Sequence, residues 1–249
     1  MKRCLPAFLA LLSLLSLFTG CGLEEYAYIY PIPRNNIIHG VANATMIIPT
    51  TNAGTVFTHF VILYRIYISD TAIPMTPEPG DFPSINPALK THYDSIDYYN
   101  DESGRAFSSS LLESVFRNRG YRYLRLENAD IDGVLSESIL GSTVEFDFSL
   151  SNRIPTMRVD SGSPYTLLRS DELTLPEPDE YLFFNTDKLL IPPETLFDTE
   201  RNNKPNKGSD EYTYAAMFII AVGIDTDTYS WVYSNPTLIH VFRLPDDIL

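Results

Sequence analysis

The sequence predicts a mainly β protein, a β-sandwich that carries a large inserted α+β segment, and three observations lead there. Residues 56–69 (VFTHFVILYRIYIS) are an apolar run dense enough for a strand buried on both faces over part of its length, and residues 212–223 (YTYAAMFIIAVG) read as a further strand. Sixteen Tyr and fourteen Phe suit strands and their cross-strand pairs. Eighteen Pro and twelve Gly supply many turns between short elements.

The N-terminus stands apart from this pattern. Lys2 and Arg3 form a positive start, residues 5–18 are an apolar run broken only by Pro6, Ser13 and Ser16, and Thr19, Gly20 and Cys21 follow. That is the order of a secretory signal peptide, assigned to residues 1–20. The run is short for a bilayer span, which needs about 20 apolar residues. The stretch LFTGC resembles the bacterial lipobox, in which Cys21 receives diacylglycerol and acyl chains such as palmitate. Phe18 stands where Leu is usual, and a relaxed box of this kind is similar to those of spirochaete lipoproteins. The resemblance implies lipidation at Cys21, a tether over residues 21–36, and an extracytoplasmic, lipid-anchored place in the cell envelope, periplasmic or on the outer-membrane face. Two or three acyl chains anchor stably where one does not.

Removal of residues 1–20 leaves 16 basic against 32 acidic residues, a net charge of −16. Such an acidic surface argues against nucleic acid and against docking on anionic lipid. Cys4 leaves with the signal, so Cys21 is the sole thiol of the mature chain. Neither a disulfide nor a thiolate metal site is expected, and stability must come from packing.

The elements follow in order. A leading strand is expected over residues 26–30, before Pro31 and Pro33. Residues 43–48 read as a short strand ended by Pro49, and residues 52–54 as a turn. Four prolines make residues 70–83 an extended loop. Ile85, Ala88, Leu89, Tyr93 and Ile96 recur at helical spacing, as do Leu111, Leu112, Val115 and Phe116 before Gly120, so two short helices are predicted. Strands return at 121–127, 143–149, 156–159, 165–169 and 181–185. A polar loop covers 198–211, and strands at 212–223 and 237–244 close the chain. Residues 37–249 are read as a single β-rich domain in which 70–212 is an insertion between sandwich strands.

The ends of that domain resemble a known module. ATMIIP followed by THFVILYRIYIS is similar to strands B and C of a fibronectin type III domain. TYAAMFIIAVGIDTDTYSWVYSNPTLIHVFRL is similar to its strands F and G, with Pro236 starting an edge strand. The resemblance covers about a third of the chain and implies a sandwich of fibronectin type III or immunoglobulin-like type. It departs in two respects: the module has about 100 residues, whereas roughly 140 separate the C-like from the F-like strand here. The B strand also lacks its usual Trp, and Trp231 is expected in the last loop. Lipobox and strands together look most like the lipoproteins of treponemes of unknown function, a resemblance that brings no activity with it.

Motifs that carry chemistry are few. Asn128, Asp130, Asp132 and Gly133 match the opening of an EF-hand loop, but the twelfth position is Ile139 rather than a bidentate Glu, and a turn between strands is favoured. Asp225 and Asp227 read as a solvated hairpin. His39, His59, His92 and His240 show no metal-ligand spacing, so neither metal nor cofactor is expected. Glu145 and Asp147 share one strand face, and such pairs can serve glycoside hydrolysis, though chance pairs are common among 32 acidic residues. The basic cluster RNRGYRYLR, with Arg117, Arg119, Tyr121, Arg122, Tyr123 and Arg125, offers guanidinium forks beside flat aromatic faces. It is the candidate surface for a carboxylate, sulfate or sugar, although pairing within its own domain is the commoner use. The function expected is a non-enzymatic binding module with a protein or glycan partner, held to membrane by its lipid. A glycan-binding or glycan-hydrolysing lipoprotein and a structural envelope component are the alternatives.

Overall fold

A computed structural model of the chain describes residues 28–71, 73–74, 76–99, 116, 119–149, 154–169, 188–189 and 212–244. The strands are β1 (Ile37–His39), β2 (Asn43–Ile47), β3 (Phe57–Ser69), β4 (Arg122–Leu126), β5 (Thr143–Asp147), β6 (Thr156–Val159), β7 (Tyr165–Arg169), β8 (Lys188–Leu189), β9 (Tyr212–Asp225), β10 (Ser230–Tyr233) and β11 (Thr237–Arg243). Three short helices accompany them: α1 (Phe82–Ile85), α2 (Pro87–Tyr99) and α3 (Ile131–Val134).

The fold is organised around one antiparallel pair. β3 runs against β9 from Phe57↔Gly223 to Ser69↔Tyr212, with one irregularity between Phe57 and His59. Side chains alternate across a strand, so each strand of the pair offers two apolar faces. Phe60, Ile62, Tyr64 and Ile66 join Ala215, Met217, Ile219 and Ala221 in one core. Val61, Leu63 and Tyr67 join Tyr214, Ala216, Phe218 and Ile220 in a second core on the other face. Burial on both faces explains why these two runs lack the polar alternation of a half-solvated strand.

The sheet continues in the order β1-β2-β5-β6-β7-β4-β3-β9-β10, with β11 also on β9 and β8 on β7. It curls at two brief junctions. β6 meets β7 through Thr156↔Thr166 and Met157↔Tyr165, and β4 meets β3 through Leu63↔Tyr123 and Tyr64↔Arg122. The β2–β5 half thereby packs Ala44, Met46, Val144 and Phe146 against the first face of β3 and β9. Phe148, just past β5, stacks on Phe242 of β11 with ring centroids 3.7 Å apart and planes 14° off parallel. The second face is covered by Phe82 and Ile85 of α1 and Leu89 and Ile96 of α2. The result is mainly β and sandwich-like, with a helical layer outside one sheet half.

Most predicted strands lie within two residues of their expected bounds, and the helix expected from residue 84 divides into α1 and α2. Four differences have physical causes. Residues 28–33 form no strand: Pro31 and Pro33 lack the N–H a ladder needs, yet Ile29 and Ile32 enter the first core. β1 arises instead after the 3-10 turn Arg34–Asn36, in a hairpin with β2. Trp231 lies in β10, not in a loop. β10 and β11 both line the same edge of β9, β10 on residues 222–225 and β11 on residues 214–219, so they act as one strand interrupted at Ser234, Asn235 and Pro236. The features expected at residues 1–27, 111–115, 181–185 and 198–211 lie outside the described residues.

Candidate functional site

One cluster of polar side chains inside this apolar frame lies under the helical layer. β3 carries Arg65 and Tyr67 on the face turned to α2. On α2, Leu89, His92 and Ile96 follow one another at helical spacing, so His92 faces the sheet with its apolar neighbours. Residues 119–121 bring in Arg119 and Tyr121 immediately before β4. Tyr67 Oη stands 3.0 Å from His92 Nδ1 and 3.1 Å from Tyr121 Oη. Arg65 Nη1 lies 3.4 Å from the same His92 nitrogen and also donates to the Arg119 carbonyl.

Donor and acceptor roles follow from the chemistry of each group. A guanidinium only donates, so His92 Nδ1 is the acceptor and its proton sits on Nε2. The Tyr67 hydroxyl then donates to His92 and accepts from Tyr121. Burial holds the His92 imidazole down at about 3, and the nearby Arg65 and Arg119 charges push the same way. Burial lifts the Tyr67 phenol to about 12, and that of Tyr121 is raised well above its usual value. All three groups are therefore neutral across the physiological range, beside two permanent cations. Arg119 Nη1 is buried and has no hydrogen-bond partner among the described residues. A carboxylate or sulfate oxygen is the chemistry such a group would accept.

The predicted Arg–Tyr cluster is only partly gathered here. Arg119 and Tyr121 enter the site, and Arg117 lies outside the described residues. Tyr121, Arg122 and Tyr123 are buried and present no open surface. Arg122 is opposite Tyr64, and half-buried Arg125 is opposite Leu168 in the β4–β7 ladder. The burial has a simple cause: β4 is an internal strand, with Tyr121 and Tyr123 in the second core and Leu124 and Leu126 in the first. Arg65, Tyr67 and His92 were not singled out from the sequence. The available signal was a charge within an otherwise apolar strand and an imidazole on the apolar face of a helix.

Elsewhere the carboxylates have local duties. Glu145 Oε2 accepts from Arg158 Nη2 at 2.6 Å, and Asp147 Oδ1 accepts from the Ser149 amide at 2.8 Å. Asp225 accepts from the Asp227 amide and the Thr228 hydroxyl within the β9–β10 turn. Asn128 has a left-handed backbone (φ 59°), and Asp130 precedes α3, which makes this segment a turn leading into a helix. No group of three or more His, Cys, Asp or Glu suited to a metal ion occurs among the described residues. Nor is any helix among them long and apolar enough to cross a membrane. No family model, curated protein or solved structure matches the chain.

Proposed function

We propose that the chain is a lipid-anchored lipoprotein of the cell envelope whose β-rich domain is a non-enzymatic binding module. The observation that carries this reading is the motif LFTGC, with Cys21 as the only thiol left after the export signal. A β domain packed without cysteine leaves that thiol free for acylation. The partner is an envelope or host protein or a glycan. A fibronectin type III or immunoglobulin-like reading is supported by strand adjacency. β3-β9-β10/β11 parallels C-F-G, and β1-β2-β5 parallels A-B-E.

Two experiments test the reading. Wild-type chain should partition with membranes and incorporate labelled fatty acid, and Cys21→Ala should do neither; unchanged partitioning and labelling in the variant overturns the anchor. Purified lipidated chain should retain an envelope or extracellular-matrix component. A panel with nothing retained overturns the binding module.

A further inference from the structure

We infer that the outer face of the β1–β2 hairpin is the side of the domain that rests on the lipid surface. The inference rests on the anchoring of Cys21 proposed above. Seven Cα-to-Cα steps lead from Cys21 to Tyr28, where the described structure begins. At 3.3–3.6 Å per extended residue they reach at most about 25 Å. The part of the domain next to Tyr28 is therefore held close to the bilayer in every orientation the tether allows.

That part differs from the rest of the surface in two independent ways. Four of the six large hydrophobic side chains exposed among the described residues lie here, beside the polar Arg34, Asn35 and Asn43: Tyr30 is 46% exposed, Ile38 60%, Val41 69% and Ile47 45%. Cross-strand register explains the arrangement. Ile37 and Met46 pair inward, so Ile38 and Thr45 pair outward, and Ile47 follows two residues beyond Thr45 on the same face. Val41 occupies the tip of the hairpin. The segment's own sequence also carries no acid, with Asp147 of β5 opposite Asn43 and Glu78 near His39 as its acidic neighbours. No Asp or Glu occurs between Glu25 and Asp70, in a chain whose 32 acidic residues would place roughly five or six over that length. On the neighbouring β5 the outward Glu145 is ion-paired with Arg158. An acidic protein is repelled by anionic headgroups wherever its carboxylates face them. A face of Ile, Val, Tyr, Asn and Thr with Arg34 and no carboxylate of its own, beside the tether, lessens that repulsion and gives apolar groups to the interface.

The test uses the full chain, acylated and reconstituted in phosphatidylcholine/phosphatidylglycerol vesicles with and without brominated acyl chains. Acylation blocks Cys21, so Ile38→Cys, Val41→Cys and Glu127→Cys each accept one environment-sensitive fluorophore; Glu127 is exposed just past β4, away from β1. Labels at 38 and 41 should lose at least half their emission in brominated vesicles, and the label at 127 should keep it. Acylated protein with unquenched labels at 38 and 41 overturns the docking face and leaves the anchor standing. Equal quenching at 127 overturns the preferred face. Labels at 38 and 41 shielded without lipid, in a concentration-dependent way, assign the face to a second copy and also overturn it. Dye uptake at Cys21 in the unsubstituted chain, together with no acyl label, overturns the anchoring and this inference with it.

Discussion

The imidazoles of His39 and His240, one from the first strand and one from the last, stand 4.6 Å apart between ring centroids. His240 meets Phe242 edge-on at 4.8 Å, and Phe242 stacks on Phe148, so four rings close the seam between the two ends of the curled sheet. His240 is 7% exposed, and its Nε2 is buried without a hydrogen-bond partner among the described residues. Burial first, then the neighbouring His39, hold it down at about 4; His39 is lowered by burial, against the opposing charge of Glu78.

A stability profile follows from that depression. Between about 6.5, the ordinary His value, and about 4, the unfolded chain binds a proton at residue 240 that the folded chain refuses. Stability is thus fully present above about pH 6.5 and is lost as pH falls toward 4, by up to roughly 3 kcal/mol from this group. His92, held down at about 3, adds to the same slope. Urea midpoints measured from pH 7.5 to 4.5 should fall, and His240→Phe should fall less steeply. An identical slope in the variant would exclude the seam as a source of acid sensitivity.

The directed chain from Tyr121 through Tyr67 to His92 makes the two phenols unequal. Tyr67→Phe removes two hydrogen bonds, leaving the Tyr121 hydroxyl without its acceptor and His92 Nδ1 with only the 3.4 Å contact to Arg65, whereas Tyr121→Phe removes one. A buried group left without its partner costs about 1–3 kcal/mol. Tyr67→Phe should therefore destabilise by about 2 kcal/mol and by more than Tyr121→Phe in chemical denaturation. Equal or reversed costs would contradict the bridging place of Tyr67 between Tyr121 and His92.

At the break between β10 and β11 a side chain replaces a ladder partner. The Ser234 amide donates to the Ala221 carbonyl, and Ser234 Oγ accepts from the Ala221 amide at 2.9 Å while donating to the Asn235 carbonyl at 3.0 Å. Ser234→Ala should cost about 1–3 kcal/mol and accelerate amide exchange at Ala221, while Ser234→Thr should retain protection there. Unchanged exchange at Ala221 in the alanine variant would show that the hydroxyl does not complete the ladder.

What was legible in the sequence is what depends on local pattern. β3 and β9 announce themselves because a strand buried on both faces is an unbroken apolar run, and α2 shows its stripe through Leu89 and Ile96. β10 escaped because Ser230 and the neighbouring turn are polar, and its strand character comes from pairing Trp231 with Ile224. The site was least legible. Arg and Tyr interleaved around residue 121 read as a surface because alternation reports a period and not which face is covered. Coverage here comes from α2, some 30 residues earlier, and from Phe218, nearly 100 residues later.

Two glycines separate close approach from backbone freedom. At Gly223 a Cβ would stand 2.2 Å from the Val56 carbonyl oxygen and 2.5 Å from Ile29 Cδ1. That carbonyl accepts from the Ile224 amide at 3.0 Å, so it is fixed in the β3–β9 pairing and cannot turn aside. Gly54 has φ +72° with nothing within 4 Å of the added atom, so alanine there meets only the left-handed backbone penalty. Gly54→Ala should cost about 1 kcal/mol. Gly223→Ala should cost about 3 kcal/mol, because overpacking against fixed backbone forces strands apart. Thermal and urea unfolding of both variants give the comparison, and a Gly223→Ala cost no greater than that of Gly54→Ala would rule out the tight approach of residues 29 and 56 to β9.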